Sequence, residues 1–204
     1  MPHPIEERLF PPSRLVAIAA LAVMVISMLA TRYHHFSSAL HLADTSWAVF
    51  FLAGLWFRQL RVLGGLLALA VAIDLGSVWI DGAAMASCFS PAYPGVLAAY
   101  AALWGAGRLA GKRLTGGSEN ALTGLAWIAG ALLAGSVVAF GISNATFYAF
   151  SGQFESMAAF EYVQRTMSYL AGYVTSAATY TVIALLSMTA TNAMRDGVRA
   201  QRHG

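Results

Sequence analysis

A chain of 204 residues that is 58% hydrophobic and only 10% charged is too apolar for a water-soluble globule, in which about a quarter of the side chains carry charge. Its formal charge of +3 comes from Lys and Arg scattered singly at the ends of apolar runs, which excludes a nucleic-acid-binding patch and reads as membrane topology. The single cysteine, Cys88, excludes an internal disulfide, a CxxC redox pair and a cysteine-built zinc site.

Residues 1–13 are polar and carry Pro2, Pro4, Pro11 and Pro12. The first apolar run, 15–30, follows without a cleavable-signal pattern, so it is expected to stay as a span. At about 1.5 Å per residue it is slightly short for a hydrocarbon core of about 30 Å. Residues 31–44 gather His34, His35 and His41, three of the five histidines, before Asp44 or Thr45 caps the next helix. The second span, 45–57, is short and stops at Arg58 and Arg61.

The third span, 62–80, holds Asp74 deep in apolar sequence and ends at Asp81. A polar break from Ile80 to Pro94 contains Cys88, Phe89 and Tyr93. The fourth span, 92–110, repeats small residues at Ala98, Ala102, Ala106 and Ala110, a ladder that lets a neighbouring helix approach closely. After a basic turn comes the fifth span, 121–142, with a similar stripe at Ala126, Gly130 and Ala134. Residues 143–165 are aromatic and mixed, suggesting an interfacial helix or a lid. The sixth span, 166–190, precedes a basic tail, 191–204. The expected fold is one all-α integral membrane domain of six transmembrane helices.

Ten of the twelve basic residues, Arg8, Arg14, Arg58, Arg61, Arg108, Lys112, Arg113, Arg195, Arg199 and Arg202, fall on one side of that layout. The positive-inside bias makes this side cytoplasmic, with both chain termini, and agrees with an even number of spans. The histidine segment, the Cys88 break and the aromatic segment then share the outer face. Binding or processing at that outer mouth is the functional expectation.

Cys88 has no cationic neighbour in sequence, so a reactive thiolate there needs a metal or a spatial partner, and the bland alternative is a small buried hydrophobe. An ionisable group inside a span, as at Asp74, faces a cavity or a partner. Asp81 reads as a helix-end residue and Arg165 as an i, i+4 partner of Glu161. His34, His35 and His41 do not define a coordination geometry by themselves. Tyr93, Trp47, Trp79, Trp104 and the sixth-span tyrosines Tyr169, Tyr173 and Tyr180 read most simply as interfacial belt or helix packing. No phosphate loop, GxGxxG, HExxH or GxSxG is present.

Two stretches carry a resemblance: Arg32-Tyr-His-His-Phe followed by Asp44-Thr-Ser-Trp-Ala-Val-Phe-Phe-Leu-Ala-Gly, and Ser87-Cys-Phe-Ser-Pro-Ala-Tyr-Pro. They resemble the BtuM family, cobalamin-specific S-components of energy-coupling-factor (ECF) type vitamin transporters in the bacterial inner membrane. The resemblance implies capture of cobalamin at the periplasmic face, with Cys88 as a direct cobalt ligand. It also implies that His34 or His35, Asp74 or Asp81, and Tyr93 line the pocket, joined in the expected ligand-binding set by Phe89 and Arg165. Decyanation of cyanocobalamin is an implied accessory activity, with Cys88 as the reacting group. The partners implied are an ECF transmembrane coupling subunit and its ATPases, although residues 15–30 lack the AxxxA pair by which S-components dock. The alternative is a membrane-embedded thiol enzyme, exosortase-like, with Cys88 as nucleophile, a first-loop histidine as base and Arg165 as oxyanion support.

Overall fold

The computed structural model describes residues 8–32, 43–81, 90–116 and 120–203; the side chains of Ile80, Asp81, Arg202 and His203 lie outside that description. His34, His35, His41, Cys88 and Phe89 therefore fall outside the described residues. The described chain is helical, without strands: α1 (Arg14–Arg32), α2 (Ser46–Trp56), α3 (Leu60–Asp81), α4 (Tyr93–Gly116), α5 (Ala121–Phe150) and α6 (Ala159–His203). Four of them are long and apolar enough to cross a membrane, as α1, Leu60–Trp79 of α3, α5 and Ala159–Gln201 of α6. Their outward faces carry Leu15, Ile18, Leu122, Leu133, Ile183 and Leu186, all more than half exposed, as a helix in contact with lipid requires.

The centre of the bundle is its shortest helix. The α2 sequence is apolar on every side, so no face can be turned to water, and ten of its eleven residues are buried. Asp44 starts it: Oδ1 accepts from the Ser46 amide at 2.9 Å and from the Ser46 hydroxyl at 2.7 Å. Phe57, in extended conformation, ends it. Eleven residues rise only about 16 Å, half of a hydrocarbon core, so α2 is enclosed by its neighbours rather than set against lipid.

Glycine permits that enclosure. A β-carbon on Gly54 would strike the Trp104 carbonyl, one on Gly107 would strike the Phe51 carbonyl, and one on Gly111 would lie 2.7 Å from the Leu55 carbonyl oxygen. The backbones of α2 and α4 thus touch through reciprocal glycines, the means by which helices associate where no hydrophobic effect separates protein from solvent. The alanine ladder takes part only at its later positions, Ala106 and the buried Ala110. Ala98 is exposed and Ala102 half-buried, while the Ala106 methyl lies 2.6 Å from where a β-carbon on Gly135 of α5 would sit. The α5 stripe of Ala126, Gly130 and Ala134 faces outward, and Gly124, Ile128, Leu132, Gly135 and Ala139 face the bundle instead. Both faces of α5 present small residues at four-residue spacing, so the spacing alone cannot choose between them.

The 143–165 segment is neither an interfacial helix nor a lid. Helix α5 runs on to Phe150 because its polar residues bond back to their own helix: Thr146 Oγ1 donates to the Ile142 carbonyl at 2.8 Å and Asn144 Nδ2 to the Phe140 carbonyl at 3.0 Å. The reversal needs only 151–158, with Gly152 at φ 71°, a left-handed value that glycine adopts at no steric cost. Phe154 packs on Phe147 and Tyr162 at 5.5 and 4.8 Å, and the Tyr162 hydroxyl donates to Asn144 Oδ1 at 3.0 Å, joining α5 to α6 across the turn. Helix α6 likewise exceeds the expected 166–190. Its 45 residues reach about 68 Å, more than twice a bilayer core, and take in the basic tail through His203.

One end of the bundle is closed. The indole of Trp56 donates to the Leu9 carbonyl at 2.9 Å, and Asn192 of α6 donates to the Arg8 and Phe10 carbonyls at 2.9 and 3.1 Å. Arg58 reaches Thr115 Oγ1 at 2.6 Å. Most of the described basic residues gather here.

Gly107→Ala should destabilise the solubilised protein by an amount at the upper end of the ~1–3 kcal/mol range of overpacked cores, because the obstacle is backbone. Gly130→Ala has no atom within 4 Å of the new carbon and should leave the melting temperature unchanged or higher. Thermal unfolding in detergent distinguishes the two; equal melting temperatures would contradict the close α2–α4 approach.

Candidate functional site

At the other end the helices separate around a cavity, and Arg32 is its organising cation. It is the last residue of α1, and its guanidinium grips Asp74 of α3 bidentately, Nε to Oδ1 at 2.7 Å and Nη2 to Oδ2 at 2.6 Å. The remaining nitrogen, Nη1, donates to Ser46 Oγ of α2 at 3.1 Å and to the Tyr100 hydroxyl of α4 at 2.5 Å. Tyr93, at the start of α4, donates its hydroxyl to Asp74 Oδ2 at 2.8 Å. One guanidinium therefore ties four helices together. Phe50 stacks on Tyr100 at 4.5 Å and fixes that ring from the α2 side.

Burial makes this pairing obligatory. The Arg32 side chain is 10% exposed and that of Asp74 20%; neither charge is stable in a low-dielectric frame without a partner, and a planar fork against a carboxylate satisfies both with two short bonds. A second carboxylate stands close by. Asp44 Oδ2 lies 3.7 Å from Arg32 Nη1, outside hydrogen-bond range, while Oδ1 is engaged by Ser46. The described rim thus carries two carboxylates against one guanidinium.

Other polar groups brace the rim. Thr31 and Thr45 share a hydroxyl hydrogen bond of 2.9 Å between the end of α1 and the start of α2, and the Thr45 amide donates to Thr31 Oγ1 at 3.1 Å. From α6, Ser176 Oγ donates to the Asp44 carbonyl at 3.2 Å and the Tyr180 hydroxyl to the Ala43 carbonyl at 2.9 Å. The cavity encloses about 550 Å³ and is walled by Arg32, Asp44 and Asp74 on the charged side and by Trp47, Phe140 and Tyr173 on the aromatic side. Trp47 and Tyr173 stack at 4.8 Å, and behind them a lobe of about 350 Å³ opens between α2 and α6. Cavities of such sizes suit small organic ligands.

Asp74 and Tyr93 are brought together in direct contact. Asp81 ends α3, with its side chain outside the described set, as are His34, His35, Cys88 and Phe89. Arg165 does not join the cavity wall: it pairs with Glu161 at 2.5 Å on an exposed face of α6, a surface ion pair worth about 0–1 kcal/mol. Trp47 and Tyr173 pack on each other, as the helix-packing alternative expects, and also line the cavity, whereas Trp79 is 85% exposed. Arg32, Ser46 and Tyr100 went unassigned in the sequence. A signal for Arg32 existed: an aspartate within a span demands a counter-charge, and only Arg32 and Arg165 remain once the ten basic residues of the other side are set aside. Among the described residues no group of three or more His, Cys, Asp or Glu is arranged to hold a metal ion.

Asp74→Asn should cost about 3–5 kcal/mol, because it leaves the Arg32 guanidinium buried without its partner. The double variant Arg32→Gln/Asp74→Asn, with both charges removed, should be more stable than Asp74→Asn alone. Thermal unfolding of the three variants checks this, and strictly additive losses would show that the two charges are not coupled. No protein-family model matches this chain, and no curated protein shows significant similarity to it.

Proposed function

We propose that this protein captures cobalamin at the outer face of the bacterial inner membrane, as the six-span S-component of an ECF-type vitamin transporter with both termini in the cytoplasm. The observation that supports the reading is Asp74 held jointly by Arg32 and Tyr93 on the cavity rim. The segment with His34 and His35 leaves the described chain at Arg32 and rejoins it at Ala43, beside Asp44; the segment with Cys88 and Phe89 leaves at Asp81 and returns just before Tyr93. Both chemistry-bearing segments are thus anchored in the sequence to residues of one polar network.

In this reading Cys88 ligates cobalt. A thiolate is a soft donor for a polarizable transition metal, and coordination drives its deprotonation. With cyanocobalamin the thiolate takes the axial position, and cyanide leaves with the thiol proton as hydrogen cyanide, so no oxidant or reductant is needed. Asp74 and Tyr93 supply fixed acceptor and hydroxyl groups for the ligand's polar periphery. His34 or His35, Asp81 and Phe89 complete the wall, and Arg165 has only an outlying place. A corrinoid is larger than the 550 Å³ cavity, so only part of it would enter there. Energy would come from an ECF coupling subunit and its ATPases, docked without the AxxxA contact that α1 lacks.

The purified protein mixed with cyanocobalamin should retain a corrinoid whose visible spectrum is altered, and Cys88→Ser should abolish the alteration. An identical spectrum in both proteins would remove the cobalt–thiolate contact and keep the ligand. No retained corrinoid would overturn the reading and favour a thiol enzyme.

A further inference from the structure

The lobe behind the Trp47–Tyr173 stack has a chemistry of its own. It is lined by Asp44, Trp47, Tyr169, Tyr173 and Ser176, around about 350 Å³. Asp44 borders both this lobe and the main cavity. Its Oδ1 is committed to Ser46, and among the described residues Oδ2 has only a long ion pair, 3.7 Å from Arg32 Nη1, which already donates to Ser46 and Tyr100. The other two guanidinium nitrogens are spent on Asp74. With the side chain 38% exposed and Arg32 shared with Asp74, Asp44 therefore offers a negative charge that the described residues neutralise only in part.

The walls suit that charge. Trp47 and Tyr173 stack on each other at 4.8 Å, which covers their facing surfaces and leaves the lobe their outer sides, and Tyr169 adds a third ring. An aromatic ring face is negative and attracts a cation within about 6 Å, and rings beside a carboxylate form the standard surroundings of alkylated ammonium groups. An anionic or purely apolar ligand would gain from neither feature.

The position of Asp44 is fixed from two sides. Its backbone carbonyl is held by Ser176 of α6, and the preceding carbonyl of Ala43 by Tyr180. The carboxylate cannot swing to complete a pair with Arg32 without giving up its bonds at the start of α2, so the charge stays directed at the cavity.

We infer that the lobe between the start of α2 and α6 is a binding site for an organic cation, a quaternary or alkylated ammonium group held by Asp44 beside the rings of Tyr169 and Tyr173. This goes beyond the corrinoid reading and stands or falls separately from it, since no residue of 33–42 or 82–89 enters the argument.

The test uses the full chain in maltoside detergent, without corrinoid, with choline as probe and 3,3-dimethylbutan-1-ol as its neutral isostere, followed by calorimetry. Choline should bind about tenfold or more tightly than the isostere. Asp44→Asn keeps an oxygen for Ser46 while removing the charge, and should weaken choline about tenfold without changing its melting temperature. Tyr173→Leu, at a half-exposed position, should weaken choline as well and decides the matter if Asp44→Asn does not fold. Equal binding of choline and isostere, no binding of choline by the unmodified protein, or unchanged choline affinity in folded Asp44→Asn would each overturn the proposal.

Discussion

The bidentate pair between Arg32 and Asp74 is the constraint on which the open end of this protein depends. Neither residue is tolerable alone inside an apolar frame, and together they leave just one guanidinium nitrogen to spend. Ser46 and Tyr100 take that nitrogen, which fixes the start of α2 and the outer turn of α4 relative to α1 and α3. The separation of helices around the cavity follows. Side chains that would otherwise pack inward are held apart by a polar network whose members all need one another, and the space beside it cannot collapse without orphaning a charge.

The opposite constraint acts lower in the bundle. Where the mouth is held open by charge, the core around α2 is held shut by the absence of side chains, with Gly54, Gly107 and Gly111 bringing backbone against backbone. A helix of eleven residues rises only about 16 Å, half of a hydrocarbon core, so α2 depends on being covered by its neighbours. Its amino end, with Asp44, Ser46 and Trp47, is thereby presented to the cavity from a rigid base. Functional side chains on the most buried helix lose little on binding, because their positions are already fixed by packing.

Composition and charge placement made the helical membrane character legible, and Asp74 was legible as a residue needing a partner because an intramembrane carboxylate is costly, whereas Tyr93 read from the residues as belt or packing. The failures have physical causes. Arg32 was read as a topological charge, since a linear sequence does not reveal that a cation at a span end can reach back to a carboxylate 42 residues on. The helix ends near 143–165 were misjudged because Ser, Thr and Asn can satisfy themselves on the preceding turn and so mimic loop polarity without breaking a helix. The small-residue ladders misled because a repeat of four marks a face without saying what it meets. Reciprocal contact needs glycines in two helices at once, which only the folded chain pairs.

The two ends meet in α6. This helix is apolar on a largely exposed surface, with only 17% of its membrane window buried, so little packing holds it along its length. Its polar attachments are spaced along it: Tyr162 on Asn144 next to the turn, Ser176 and Tyr180 on the Asp44 and Ala43 carbonyls near the mouth, and Asn192 on the Arg8 and Phe10 carbonyls at the closed end. Between Ser176 and the turn at 151–158 stands Tyr173, stacked on Trp47. Trp47 belongs to the fixed α2 core, and Tyr173 to the lightly packed helix. The mouth-side contacts of α6 are thus the ones nearest a bound ligand, while farther along the helix Arg195 is held against the bundle with one guanidinium nitrogen buried.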